Sequence, residues 1–96
     1  VSSQMAWMGY AKSDRIAYRA SKAALNKVMQ GLATDLSPEG IAVALVDPGW
    51  VRTDMGGPEA DLDPGTVAAG ILTLAERLTI HDTGRFFRYD GQQRAF

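Results

Sequence analysis

The stretch Ile41-Ala42-Val43-Ala44-Leu45-Val46-Asp47-Pro48-Gly49 decides the fold. Six apolar residues follow one another without polar alternation, which suits a strand over Ile41 to Val46 buried on both faces of a parallel sheet. Asp47-Pro48-Gly49 ends it, because proline lacks the donor that a ladder needs and glycine turns the chain. Upstream, Ser37, Pro38 and Gly40 close a long helical run. In that run Ala17, Ala20, Ala24, Leu25, Val28, Leu32 and Leu36 recur at helical spacing, and Ser13 is the expected N-cap. Residues 4–14 read as a loop around Gly9, and Val1-Ser2-Ser3 as the tail of a strand already under way. Downstream, residues 50–63 are irregular and Pro64 to Leu78 return to helical spacing through Val67, Ala68, Ile71, Leu72 and Ala75. Phe86 to Tyr89 form a plausible final strand, Asp90-Gly91 turns out of it, and a short tail follows. Strand tail, helix, strand, helix, strand is the order of an α/β fold: part of a doubly wound parallel sheet with right-handed crossovers. Ligands of such sheets sit beyond the C-terminal ends of the strands, so the segments from Ser3 and from Pro48 are expected to share one site.

Composition narrows the function classes. The chain has 96 residues, 46% apolar and 22% charged, with a net charge of −1, an ordinary globular balance for at most one small domain. No dense basic run is present, so nucleic-acid binding and attraction to an acidic membrane surface have no support. No apolar run approaches the roughly 20 residues of a membrane helix. There is no cysteine and one histidine, His81, which leaves no thiolate or histidine-rich metal site. No signal-peptide pattern stands at the start, and a cytoplasmic location is expected.

Tyr18 and Lys22 are four apart on the predicted helix, so their side chains share a face. A tyrosine is a poor acid at neutrality. A neighbouring ammonium favours the phenolate, and the phenol then becomes a usable proton donor or acceptor. By itself such a pair is common by chance, an interfacial tyrosine beside a solvated lysine, and its weight comes from context. Pro48-Gly49 has two readings as well: a plain strand-ending turn, or a place where backbone closely approaches a flat ring. Trp50, Met55 and the stretch from Gly56 to Leu62 suit a mobile lid or a disordered loop, while Met5, Trp7 and Met8 are candidate pocket or packing residues. Arg52, Asp54 and His81 read as surface residues.

Tyr18-Arg19-Ala20-Ser21-Lys22-Ala23-Ala24-Leu25-Asn26 resembles the active-site helix of the short-chain dehydrogenase/reductase family. The order around it is similar to the family's too: Ser2-Ser3 at a strand end, the strand to Val46, then Pro48-Gly49 and Thr53. Val1 to about Gly91 is covered, and Tyr18–Asn26 with Pro48–Met55 look most like the C-factor-like branch of small carbonyl reductases. The resemblance implies an NAD(P)-dependent oxidoreductase, with NAD or NADP as cofactor and a small-molecule carbonyl or alcohol as substrate. Tyr18 would be the general acid in reduction or the base in oxidation. Lys22 would lower the Tyr18 pKa and hydrogen-bond the nicotinamide ribose. Ser3, the second of its pair, would hold the substrate oxygen, although it stands further before Tyr18 than is usual in the family. Pro48 and Gly49 would lie against the nicotinamide. Val51 would contact its carboxamide or the phosphates through backbone, and Thr53 also through its hydroxyl.

The family's glycine-rich phosphate loop, the residue separating NAD from NADP and the relay asparagine have no match here. The chain is therefore expected to be the C-terminal catalytic part of one such domain, inactive without the N-terminal cofactor-binding half. The missing half also motivates a rival reading, a non-catalytic binding or signalling module on the same scaffold. A third role, compatible with catalysis, is assembly. The alanine-rich helix from about Arg15 to Ser37 resembles the family's subunit-contact helix and implies a homo-oligomer.

Overall fold

A computed structural model describes residues 1–9 and 11–96; residue 10, within the predicted loop of residues 4–14, lies outside them. Helix α1 (Ile16–Leu36) is built mainly from strong helix formers. Its N-cap is Arg15, in the left-handed region at φ 51°, and not Ser13. The start is braced instead by Arg19, which reaches back one turn. Its Nε donates to the Asp14 carbonyl at 2.9 Å and its guanidinium pairs with the Asp14 carboxylate at 3.1 Å. At the other end a 3-10 turn (Ser37–Glu39) carries Pro38 and closes on Gly40, whose φ of 74° turns the chain toward the sheet.

The strand predicted for Ile41 to Val46 pairs as β1 over Leu45–Asp47 only. Residues 43 and 45 are anchored earlier, by Gly84 N donating to the Val43 carbonyl at 2.8 Å and Leu45 N to that of Arg85 at 3.0 Å. On its other side β1 accepts the Ser2 N–H at the Val46 carbonyl, 2.7 Å away, so the N-terminal segment lies beside it as the sequence suggests. Ile41 is exposed rather than buried on both faces. Helix α2 (Pro64–Arg77) starts on Asp63, whose carboxylate accepts from Thr66 N at 3.0 Å, with Pro64 in the first turn. It leads to β2 (Phe86–Arg88), parallel to β1 in the register Leu45↔Phe86, Val46↔Phe87 and Asp47↔Arg88.

The tail is a strand as well. Gly91, at φ 89°, and the bond from Gln92 N to the Asp90 carboxylate fold it back, and β3 (Gln93–Arg94) pairs antiparallel to β2. The core gathers where the sheet meets the helices: Leu45, Phe86 and Phe87 from the strands, Ala33 from α1, Val67 and Leu74 from α2. Phe86 is fully buried and stacks on Phe96 at 5.7 Å between ring centres. Against expectation, the apolar spacing of α1 marks its outward face. Val28 is 66% and Leu32 40% exposed, while Asn26 and Ala33 are the residues it buries.

Candidate active site

Tyr18 and Lys22 project from consecutive turns of α1. The Lys22 ammonium stands 5.8 Å from the centre of the Tyr18 ring, close enough for its charge to act on the aromatic system. Tyr18 is 37% exposed, so its hydroxyl is open to a ligand. Ser21 lies between them in sequence but turns back, donating to the Tyr18 carbonyl at 2.7 Å.

The serine pair divides its work. Ser2 is buried and its hydroxyl donates to Asn26 Oδ1 at 2.6 Å, tying the strand end to α1 one turn beyond Lys22. Ser3 is half-buried and caps a short 3-10 turn (Gln4–Ala6), accepting from Met5 N at 3.1 Å. A hydroxyl that accepts still has its own proton to donate. Asn26 was not singled out in the sequence; its side chain bridges Ser2 and α1, and its buried Nδ2 has no hydrogen-bond partner among the described residues. Its position four residues after Lys22 was the available signal.

The Pro48-Gly49 turn sits at the C-terminal end of β1. Gly49 has φ 80°, and a Cβ there would meet Leu62 Cδ1 at 2.5 Å. The left-handed φ is what favours glycine here, since the Leu62 methyl at the end of its flexible side chain could shift aside. Beyond it residues 50–63 form an organised loop, closed at its neck by Arg52 N donating to the Leu62 carbonyl (2.9 Å) and Leu62 N to that of Trp50 (3.1 Å), with a bridge between Val51 and Leu62. The Thr53 hydroxyl accepts from Gly56 N at 3.1 Å and reaches the Val51 carbonyl at 3.4 Å, so it organises the turn. Trp50 Nε1 donates to the Gly56 carbonyl at 2.8 Å. Arg52, expected to be solvated, donates to the carbonyls of Ala60 and Asp61, whereas Met55 is 88% exposed.

A cavity of about 440 Å³ is walled by Gln4, Trp7, Phe86, Arg88, Gln93 and Arg94 among others; Tyr18 and Lys22 do not line it. Among the described residues no glycine-rich loop follows a strand. Among them no group of three or more acidic or histidine side chains could hold a metal ion. Among the described residues no helix is long and apolar enough to cross a membrane.

Comparison with known proteins bears on the family and the fold. A family model described as short chain dehydrogenase matches residues 1–62. C-signal of Myxococcus xanthus is 48% identical over 77 residues, covering 80% of this chain and 46% of that protein. A 1-hydroxy-2-glutathionyl-2-methyl-3-butene dehydrogenase of Rhodococcus is 40% identical over 78 residues, 77% of this chain and 34% of its relative. Among solved structures, the carbonyl reductase Sniffer of D. melanogaster superposes with a TM-score of 0.93 at 38% identity, over 99% of this chain and 39% of that one. NADPH-bound carbonyl reductase from chicken fatty liver gives 0.89 at 29% identity, over 99% and 40%. The chain spans less than half the length of each of these proteins.

Proposed function

Because this chain belongs to the short-chain dehydrogenase family, we propose that it carries the proton-transfer part of an NAD(P)-dependent oxidoreductase acting on a small carbonyl or alcohol. The observation that carries the reading is the Tyr18–Lys22 pair, adjacent on one face of α1 with the tyrosine open to a ligand. In reduction the Tyr18 hydroxyl gives its proton to the substrate oxygen; in oxidation the same atom takes it back. Negative charge develops on the phenolate oxygen, and the Lys22 ammonium beside the ring stabilises it. Ser3 donates its remaining hydroxyl proton to the substrate oxygen and orients the carbonyl, while Ser2 and Asn26 hold the strand end to α1.

NAD or NADP, when bound, supplies or accepts the hydride at the nicotinamide. Lys22 would hold its ribose, Pro48 and Gly49 would lie against the ring at the end of β1, and the Val51 backbone would contact the carboxamide or phosphates. Thr53 lies toward the carboxamide and phosphates, with its hydroxyl already engaged in the turn. The phosphates themselves need a half that binds dinucleotide, and turnover requires both. In assembly, the outward face of α1, with Ala17, Ala20, Ala24, Val28 and Leu32 exposed, packs against a second copy.

The test is Tyr18→Phe in the complete protein. Losing a general acid costs about 10²–10⁴-fold in kcat, with binding of the reduced dinucleotide retained. Near-normal turnover in that variant would remove the reading. A second reading, a module that signals without turnover, draws on the likeness to C-signal. It expects Tyr18→Phe to leave the biological response intact.

A further inference from the structure

Asp47 is the last residue of β1 and is 1% exposed. A carboxylate so buried requires compensation. It finds charge compensation in Arg94 of β3, whose Nε stands 2.7 Å from Asp47 Oδ2 as an ion pair, without the alignment of a hydrogen bond. The other oxygen, Oδ1, accepts the backbone N–H of Gly49 at 3.0 Å, closing an Asx turn over Pro48. Tyr89 N donates to the Asp47 carbonyl at 2.9 Å, so the main chain of this residue is fixed as well. One carboxylate thus links the guanidinium on the edge strand to the N–H of the glycine in the turn.

We infer that Arg94 and Asp47 are a positioning pair that fixes the Pro48-Gly49 turn for the nicotinamide. The inference rests on the proposed oxidoreductase function, which puts the turn against that ring. The arginine neutralises the buried carboxylate and sets its orientation, and the carboxylate presents Oδ1 to Gly49. Without the guanidinium, Asp47 turns toward water or another donor, the Asx turn opens and the ring loses its flat wall. Neither residue touches the reacting atoms. The effect therefore falls on dinucleotide affinity and not on the chemical step.

The experiment uses the complete protein and NADPH or NADH as the probe. Kd is measured by fluorescence titration and kcat at saturating dinucleotide, well below each variant's melting temperature. Arg94→Met is expected to raise Kd about tenfold, with kcat changed by no more than about threefold. Arg94→Lys, which keeps a cation, recovers most of the affinity. Should Arg94→Met fail to fold, the double variant Asp47→Asn with Arg94→Met removes both charges and leaves none buried alone. Its Kd is expected to rise roughly threefold. Unchanged affinity in whichever variant folds overturns the positioning role, as does a loss of kcat equal to the loss of affinity. A wild-type protein that binds neither dinucleotide overturns the oxidoreductase reading, and this inference with it.

Discussion

At the scale of single residues, the acidic side chains that carry local structure are also the ones that sense pH. Asp82 closes a reciprocal cap: its Oδ2 accepts from Thr79 N at 3.0 Å, and Thr79 Oγ1 accepts from His81 N at 3.3 Å. The backbone hydrogen bond from Thr79 holds the Asp82 carboxyl below its ordinary value; mild desolvation opposes this and the Arg85 guanidinium adds to it. A value lowered by folding means that the contribution to stability is complete above the unfolded aspartate range. It is lost as pH falls through the lower folded value. Melting curves between about pH 2 and 6 should therefore fall less steeply for Asp82→Asn than for the wild type. Asp82 is solvent-accessible, so the difference will be small. Equal slopes would mean that the cap contributes nothing in water.

Among the elements, helix α2 comes close to the end of β2. Gly70 faces the end of β2, where a Cβ would stand 2.6 Å from the Tyr89 carbonyl oxygen and 3.1 Å from its ring. Alanine is the better helix former by about 1 kcal/mol, yet overpacking against backbone costs about 1–3 kcal/mol. Gly70→Ala is accordingly expected to lower the melting temperature, and a rise would show that α2 can slide.

The same scale explains what was legible in the sequence. Tyr18 and Lys22 share a face because helix geometry alone sets that relation. The strand ending at Asp47 was visible as an apolar run, but its paired length depends on neighbours that the run does not specify. The pairing of Gln93–Arg94 was hidden, since two polar residues carry no period and the turn at Gly91 decides it. Asp47 and Arg94 lie far apart in sequence and meet only because β2 lies between their strands. On α1 the apolar spacing was real but marked the outward face, since the buried side is filled by Asn26 and Ala33. Periodicity reports an amphipathic helix without saying which partner its apolar stripe awaits.

The whole molecule is a thin slab, 42 × 30 × 19 Å. Its radius of gyration of 13.9 Å exceeds the roughly 12.5 Å of a compact chain of this length. Its accessible surface of 6230 Å² exceeds by roughly 900 Å² what a folded monomer of this mass shows. The excess is about one partner's share of an ordinary protein interface, and Ile16, Val28, Leu32, Ile41 and Leu72 contribute to it. Val28→Lys with Leu32→Lys tests the part proposed for self-assembly. Light scattering should show an oligomer for the complete wild-type protein and a smaller species for the double variant, with secondary structure unchanged. A monomeric wild type would remove the assembly role of α1.

The closed neck of residues 50–63 has a consequence for how substrate preference can evolve. Both ends of the loop are clasped to each other at Trp50–Arg52 and Leu62, and Asp63 immediately starts α2. A change in the length or chemistry of the stretch between Thr53 and Glu59 stays inside the clasp. The stretch is tied to the turn before it by the bond from Trp50 Nε1 to the Gly56 carbonyl, and lengthening such a loop carries only a small entropic cost. The scaffold therefore treats this stretch as an exchangeable cassette: on the proposed function, new side chains there are offered to new substrates while Tyr18 and Lys22 on α1 stay where they are.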